Sequence, residues 1–229
     1  MIERQQNLLE NIIEEYIEKA QPVGSEFLSE KIKPRLSSAT IRNEMAMLVK
    51  GGYLEQPHLS AGKRPTLKGW QYYLEHLLEE KKLPAAYKNN LLKIKERERD
   101  QREMMKAWAR EISDLTGQLC ILAFNNNDFY YTGLTHLLKQ PEFNDWKVVF
   151  SLSRLVDSLD KILMENFDFL GKETKILIGK ENFFGDFCST IFTRSRFCKK
   201  YILIGILGPV RMDYEQNLAL IKAVRELMD

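Results

Sequence analysis

Apolar residues recur at helical spacing through the first eighty positions of this chain. Leu8, Leu9, Ile12, Ile13, Tyr16 and Ile17 share one face of a helix predicted over Ile2 to Lys19. Gln21-Pro22-Val23-Gly24 ends that helix, and Ser25 is placed to cap a short helix through Ile32. Pro34-Arg35-Leu36 reads as a turn. The next stripe is Ile41, Met45 and Leu48, with Val49 beside it, on a helix opened by Ser37-Ser38. It stops at Gly51-Gly52, where a left-handed C-cap is cheap only for glycine. Tyr53 to Gln56 then has strand character, and Pro57 to Pro65 is a loop too polar for a core. Thr66 is placed to cap a fourth helix with Trp70, Tyr73, Leu74 and Leu77 as its apolar stripe.

The face of the third helix away from its stripe carries Ala39, Thr40, Asn43, Met47 and Lys50, with Arg42 and Glu44 at the boundary. Its N-terminal end is small and polar, which suits a helix entering a DNA major groove end-first. Asn pairs with adenine, Arg with guanine, and Thr touches a base or a phosphate. Free N–H groups at a helix start favour a phosphate. The candidate DNA contacts are therefore Ser37, Ser38, Thr40, Arg42 and Asn43 on the helix, with His58, Ser60, Lys63 and Arg64 in the loop. The plainer alternative is an amphipathic helix with a solvated face. Charge separates the two. Residues 31–68 hold Lys31, Lys33, Arg35, Arg42, Lys50, Lys63, Arg64 and Lys68 against only Glu44 and Glu55, whereas the whole chain is +2. Positive charge is thus concentrated where phosphate contact requires it. The first helix, acidic at Glu10, Glu14, Glu15 and Glu18, is expected to face away from DNA. Helix, short helix, turn and recognition helix is helix-turn-helix order.

Residues 83–119 read as one long helix entered after Pro84, with a centre, Lys95 to Glu103, too charged to bury. Met105, Trp108, Ile112, Leu115 and Leu119 step by 3 and 4, the spacing of an a/d seam. The seam either packs on the chain's own C-terminal domain or joins two copies. Beyond Gly117 strand and helix patterns alternate. Leu119 to Phe124, Phe129 to Thr132, Thr174 to Ile178, Cys188 to Phe192 and Tyr201 to Leu207 are strand candidates. Asn125 to Asp128 is a turn, and Leu152 to Phe169 a helix. Trp146 to Phe150 either extends a strand or opens that helix. Asp213 is placed to cap a closing helix, Tyr214 to Met228. That leaves Arg211 without a local role, with Glu181, Asp186 or a partner as its candidate contacts.

At 229 residues the chain has room for two modest domains. No apolar run reaches membrane-spanning length and Met1-Ile2-Glu3-Arg4 does not begin a signal peptide, so a cytoplasmic protein is expected. Cys120, Cys188 and Cys198 are odd in number and sit in apolar contexts, as buried thiols do. They lie far from His58, His76 and His136, so no metal site is expected, and no cofactor. Nucleophile elbow, phosphate loop and paired-carboxylate signatures are all missing, which argues against an enzyme.

Several segments in one order resemble HrcA, the family of bacterial heat-inducible transcription repressors. They are Pro22-Val23-Gly24-Ser25; Ser37 to Met45; Gly52 to His58; Ser60-Ala61-Gly62; Pro65-Thr66 with Gly69; Gly133-Leu134 with Pro141-Glu142-Phe143; Ile178-Gly179 with Glu181-Asn182; and Gly208-Pro209 with Arg211 to Tyr214. The alternation of strands and helices beyond Gly117 predicts an α+β protein, and the resemblance implies its parts. A winged helix-turn-helix would occupy residues 1–82, a long connecting helix or linker 83–116, and a reduced, compact GAF-like α/β sheet domain 117–229. It implies repression of chaperone genes through an inverted-repeat operator in double-stranded DNA, with the chaperonin as a candidate partner. Full-length members carry a dimerising domain inserted in the GAF-like one. Here Leu115-Thr116 is followed within twenty residues by Thr132-Gly133-Leu134, so the insertion, and with it some neighbouring strands, is expected to be missing. A homodimer is still expected, through Met105, Trp108, Ile112 and Leu115 or through the sheet. The alternative function is a winged-helix regulator whose GAF-like half senses a small molecule.

Overall fold

A computed structural model describes residues 1–32, 36–125, 127–167, 173–197 and 200–228. The predicted turn at Pro34-Arg35, the cations Lys33 and Arg35, Asn126, Phe169 and Cys198 lie outside the described residues. The chain divides into two compact units, Met1–Glu79 and Glu80–Asp229.

In the first unit, α1 (Glu3–Lys19), α2 (Ser25–Lys31) and α3 (Ser38–Lys50) surround one core. Leu8, Leu9, Ile12 and Ile13 of α1 bury against Leu28 of α2 and Ile41, Met45 and Leu48 of α3. Each fully buried side chain of this kind contributes about 1.5–3 kcal/mol. Ser25 does not cap α2. The N-cap is Gly24, without a side-chain bond, and Ser25 is the first helical residue. Ser37 does cap α3, accepting the Thr40 N–H at 3.1 Å. At the far end Gly51 stays right-handed and Gly52 takes the left-handed turn, with φ +76. Strands β1 (Leu54–Glu55) and β2 (Arg64–Pro65) pair antiparallel, Leu54 opposite Pro65. Helix α4 (Leu67–His76) follows, capped by Thr66, and buries Trp70 and Tyr73.

In the second unit the long helix predicted over 83–119 is two helices. These are α5 (Ala85–Arg97) and α6 (Gln101–Thr116), broken where the Asp100 carboxylate accepts the Glu103 N–H at 2.9 Å. The break lets α5 fold back on α6, and the Trp108 indole N–H donates to the Leu91 carbonyl at 2.9 Å. Met105, Trp108 and Ile112 are fully buried inside this unit and Leu115 is half-buried. Of the two readings of that stripe, packing on the chain's own domain is the one realised.

Five strands form one antiparallel sheet, ordered β4-β3-β7-β6-β5. They are β3 (Leu119–Asn125), β4 (Asp128–Thr132), β5 (Lys175–Ile178), β6 (Cys188–Phe197) and β7 (Lys200–Pro209). Mixed helices and antiparallel sheet make the protein α+β. Between Leu115 and Leu134 the chain forms the end of α6 and the β3–β4 hairpin, with Asn125 opposite Asp128.

Helix α6 packs on β3, and α10 (Tyr214–Met228) packs on β6. The opposite face is covered by α7 (Leu134–Leu138), a 3-10 turn at Pro141–Asn144, α8 (Trp146–Asp157) and α9 (Leu159–Asn166). Leu137, Phe143, Leu152, Leu155 and Leu163 pack there with Leu119, Ile121, Phe192 and Leu203. Trp146 therefore opens a helix, and the helix predicted through Phe169 is broken at Ser158. Asp213 caps α10, accepting the Gln216 N–H at 3.0 Å. Arg211, expected to contact Glu181, Asp186 or a partner, is placed beside Glu142. It ion-pairs with Glu142 and donates to the Gln140 side chain at 2.8 Å, tying the strand-to-helix junction to the 3-10 turn. Cys120 and Cys188 are buried, and desolvation pushes the Cys188 thiol up to about 12. Among the described residues no helix is long and apolar enough to cross a membrane.

Candidate nucleic-acid interface

The candidate residues of α3 lie together in its first turn and a half. Ser37 and Thr40 are bonded to one another, hydroxyl to hydroxyl at 2.9 Å, so their first task is to fix the helix start. Ser38 stands beside them, half-buried. Arg42 and Asn43 are exposed one turn further on, and Ala46, Met47 and Lys50 continue the same outward stripe. Glu44 does not sit at the boundary of that stripe. It is buried, ion-paired with Arg4 of α1, and accepts a second bond from Gln5 at 3.1 Å. The one acid of α3 is therefore turned inward and neutralised.

The loop between β1 and β2 is ordered by its own polar groups. Gln56 donates to the Leu59 and Ala61 carbonyls at 2.8 and 2.9 Å, and Lys63 donates to the Gln56 side-chain oxygen. His58 and Ser60 meet at 3.2 Å on the exposed tip. Two backbone bonds, Val23 N–H to Lys63 O at 2.8 Å and Lys63 N–H to Val23 O at 2.9 Å, pin the base of the loop to the α1–α2 connection. Only glycine fits at 62, because a Cβ there would lie 2.4 Å from the Val23 carbonyl oxygen.

Between this loop, the start of α2 and α3 lies an open cleft of about 420 Å³, whose lining includes Gly24, Ser25, Arg42, Gln56, Ser60 and Lys63. The cleft joins the helix candidates to the loop candidates. It also adds Gly24, Ser25 and Gln56, which the helical and charge patterns did not single out. The only sequence signal for the first two was their place in the Pro22-Val23-Gly24-Ser25 segment.

The basic residues are less uniformly outward than their count implies. Lys31 is bound to buried Glu15 of α1. Lys68 donates to the Gly51 carbonyl at 2.8 Å and lies over the Tyr53 ring. Arg64 pairs with Glu55 across the hairpin at 2.7 Å. Burial opposes the Arg64 charge, but the bond and charge of Glu55, aided by Tyr16, still hold its pKa above the ordinary value. Arg42 and Lys50 are exposed on α3, and Lys63 sits on the cleft wall.

A family model described as "HrcA protein C terminal domain" matches residues 37–218. The heat-inducible transcription repressor HrcA of Ligilactobacillus salivarius is 39% identical over 122 residues, which is 53% of this chain and 35% of that protein. The HrcA of Acetivibrio thermocellus is 49% identical over 81 residues, 35% of this chain and 23% of that one. The strong matches therefore span about a third or less of the relatives' own length. The HrcA of a Thermoanaerobacter strain aligns more weakly, at 25% identity, over 93% of this chain and 92% of its own. That alignment runs to 319 positions against the 229 residues here, so the relative carries sequence with no counterpart in this chain. A crystal structure described as that of a hypothetical protein at 2.2 Å resolution shares the fold, with a TM-score of 0.74 at 17% identity, covering 100% of this chain and 97% of its own. With the family model matching most of its length, the chain belongs to the HrcA family.

Proposed function

We propose that this chain is a sequence-specific DNA-binding repressor of heat-shock and chaperone genes. Its first unit acts as a winged helix-turn-helix, with α3 as recognition helix and the β1–β2 loop as wing. The observation that carries the reading is the outward stripe of α3. Arg42 and Asn43 are exposed there, the single acid of the helix is turned inward, and the cleft beside Arg42 runs to the Lys63 wall of the wing. Arg42 and Asn43 read base edges. Thr40, Ser38, Ser60, His58 and Lys63 hold the phosphates on either side, which fixes register without carrying sequence information. Arg64 shapes the hairpin through Glu55 and adds charge to the phosphate contact.

One such unit reads too few base pairs for genomic specificity, so two copies bind the two halves of an inverted repeat. The second unit is a GAF-like sheet domain, and the chaperonin is its proposed effector, on the strength of the family resemblance.

Fluorescence anisotropy on an inverted-repeat operator and a scrambled duplex, at near-physiological salt and with and without chaperonin, tests the reading. Operator-selective binding supports it, and equal binding to both duplexes rejects it.

One observation favours the small-molecule alternative. A hollow of about 270 Å³ in the second unit is floored by Phe124, Phe197 and Ile202 and edged by Arg102 and Asp128. Its cation is already engaged, however. Arg102 binds Asp128 with two bonds of 2.6 and 2.7 Å and lies over Phe124 at 4.2 Å. The repressor reading is preferred for that reason.

A further inference from the structure

Helix α8 carries aromatic residues on the wrong side for a helix that only roofs a sheet. Its inward face is Val148, Leu152, Leu155 and Val156, all packed in the core of the second unit. At about 100° per residue, Phe150 points away from the middle of that face. Trp146 stands one turn before it, and the two rings lie 6.0 Å apart. Trp146 is 74% exposed and Phe150 51%. A single exposed apolar residue needs no explanation, but an adjacent Trp–Phe pair at the outward pole is the composition of an interface core.

Asp145 at the N-cap and Arg154 in the last turn complement the macrodipole of α8, and two further charges flank the pair. Lys147 lies in the first turn of α8 and Asp157 is its last residue. Both oppose the helix macrodipole, which favours an acid at the start and a base at the end. An antiparallel copy of the same helix reverses the situation. Lys147 of each copy then faces Asp157 of the other, and the aromatic rings of each meet the exposed Arg154 end of the other. The same surface satisfies itself under a two-fold axis, as an isologous contact requires.

We infer that the outward face of α8, centred on Trp146 and Phe150, is the surface through which a second copy of this chain binds. The reading rests on the proposed function for the use of two copies on DNA, and on the α8 face itself for where they meet. It supplies a pairing surface in a chain whose Met105–Ile112 stripe is buried.

Sedimentation velocity of the full chain at micromolar concentration tests it. Wild type should sediment as a dimer. Trp146→Glu with Phe150→Glu should raise the dimer dissociation constant at least about 30-fold, the effect of losing a hot-spot residue. Far-UV circular dichroism should stay unchanged, because both positions face solvent. Lys147→Asp and Asp157→Lys should each weaken the dimer, and the two together should restore it, since the swap keeps the pair complementary. This charge series decides the matter even where the aromatic double variant misfolds. A monomeric wild type, an unaffected dimer in the folded aromatic variant, or a charge swap that fails to restore pairing overturns the inference. Operator anisotropy on the same samples keeps the two readings apart. A dimer through α8 without operator selectivity removes only the proposed function, and selective binding by variants that remain dimers removes only the interface.

Discussion

Arg4, in the first turn of α1, ion-pairs with Glu44, the buried acid in the middle of α3. The contact joins residues forty positions apart and, with the Gln5 bond, sets the roll of α3 about its own axis. In the proposed function, roll decides whether Arg42 and Asn43 reach base edges, and a site needs about 0.5 Å precision to keep its selectivity. Glu44→Ala should therefore weaken operator binding about tenfold, equivalent to ~1.4 kcal/mol, while binding to scrambled DNA changes much less. Arg4→Ala should do the same. Parallel losses on both duplexes, measured by anisotropy at one salt concentration, would show that the pair only stabilises the unit.

The helix and wing residues should fail in different ways. Asn43→Ala and Arg42→Ala should each cost about 1–3 kcal/mol on the operator and little on random DNA, because each removes a base contact. Lys63→Ala should weaken both duplexes alike and reduce the slope of log affinity against log salt by about 1, the signature of one lost phosphate contact. Arg64→Ala should resemble Lys63→Ala, with an added loss of stability from breaking the Glu55 pair. Titrations at several salt concentrations separate the classes, and an unchanged salt slope for Lys63→Ala removes that residue from the phosphate contacts.

Several features that depend on near neighbours along the chain are legible in the sequence itself, although the predicted Ser25 cap is not formed and the Asp100 cap goes unpredicted. The caps Ser37, Thr66 and Asp213 act within three residues of themselves, and the Ile41-Met45-Leu48 stripe is a matter of period. Features set by distant partners are not. Charged residues are read as solvated by default, so the burial of Glu15 and Glu44 follows only from Lys31 and Arg4 being in place. The run Lys95 to Glu103 has good helix propensity except at Asp100, which with Glu103 is itself a local helix-start signal. Its break comes from the local Asp100 cap together with α5 packing back on α6. Arg211 finds Glu142 across 69 positions, which no local signal announces. The cleft of the candidate site is half legible. Its walls from α3 and the β1–β2 loop follow from charge, but its Gly24-Ser25 wall is signalled only by the Pro22-Val23-Gly24-Ser25 segment and is placed by folding.

Buried Glu15 holds two cations, Lys19 at 2.7 Å and Lys31 of α2. Burial raises its pKa, but hydrogen bonds and charge from Lys19 and Lys31 outweigh that and hold it below the ordinary 4.5. A depressed carboxyl stabilises the fold above its unfolded value and loses that contribution as pH falls through the folded one. Lys31 is raised above 10.5, chiefly by its bond to Glu15, so its share is complete below that value and disappears as pH climbs through the folded one. Glu15→Gln should cost about 1.5–3 kcal/mol at neutral pH, the range for hydrogen bonds to charged groups. It should also flatten the loss of melting temperature below pH 4.5. An acid limb as steep in the variant as in wild type would assign the acid sensitivity to other carboxylates.

Trp108 is fully buried between α5 and the sheet, with its indole N–H bonded to Leu91. Trp108→Ala should destabilise the second unit by about 3–5 kcal/mol, the cost of an aromatic cavity in a packed core. Denaturant unfolding monitored by circular dichroism gives that number. A variant that keeps wild-type stability but sediments as a monomer would instead return the Met105–Ile112 stripe to an interface role.

The β1–β2 loop, the proposed wing, is anchored by backbone, and that makes Gly62 a sharper probe than any charged residue on its surface. A Cβ at 62 would lie 2.4 and 2.5 Å from the Val23 carbonyl oxygen and carbon and 2.8 Å from the Pro22 carbonyl carbon. No side-chain rotation relieves a clash with backbone. Gly62→Ala must push the loop away from the α1–α2 connection and break the paired Val23–Lys63 bonds, each worth about 0.5–1.5 kcal/mol. The loop then loses its position over the cleft while keeping every cation it carries. Operator affinity should fall by about the same 1–3 kcal/mol, with the number of phosphate contacts reduced in the salt titration. Gly24, on the same connection, has nothing within 4 Å of its Cβ position, so Gly24→Ala should have a much smaller effect. If the two alanines behave alike on DNA, the wing does not need its anchor, and its charge alone accounts for its contribution to binding.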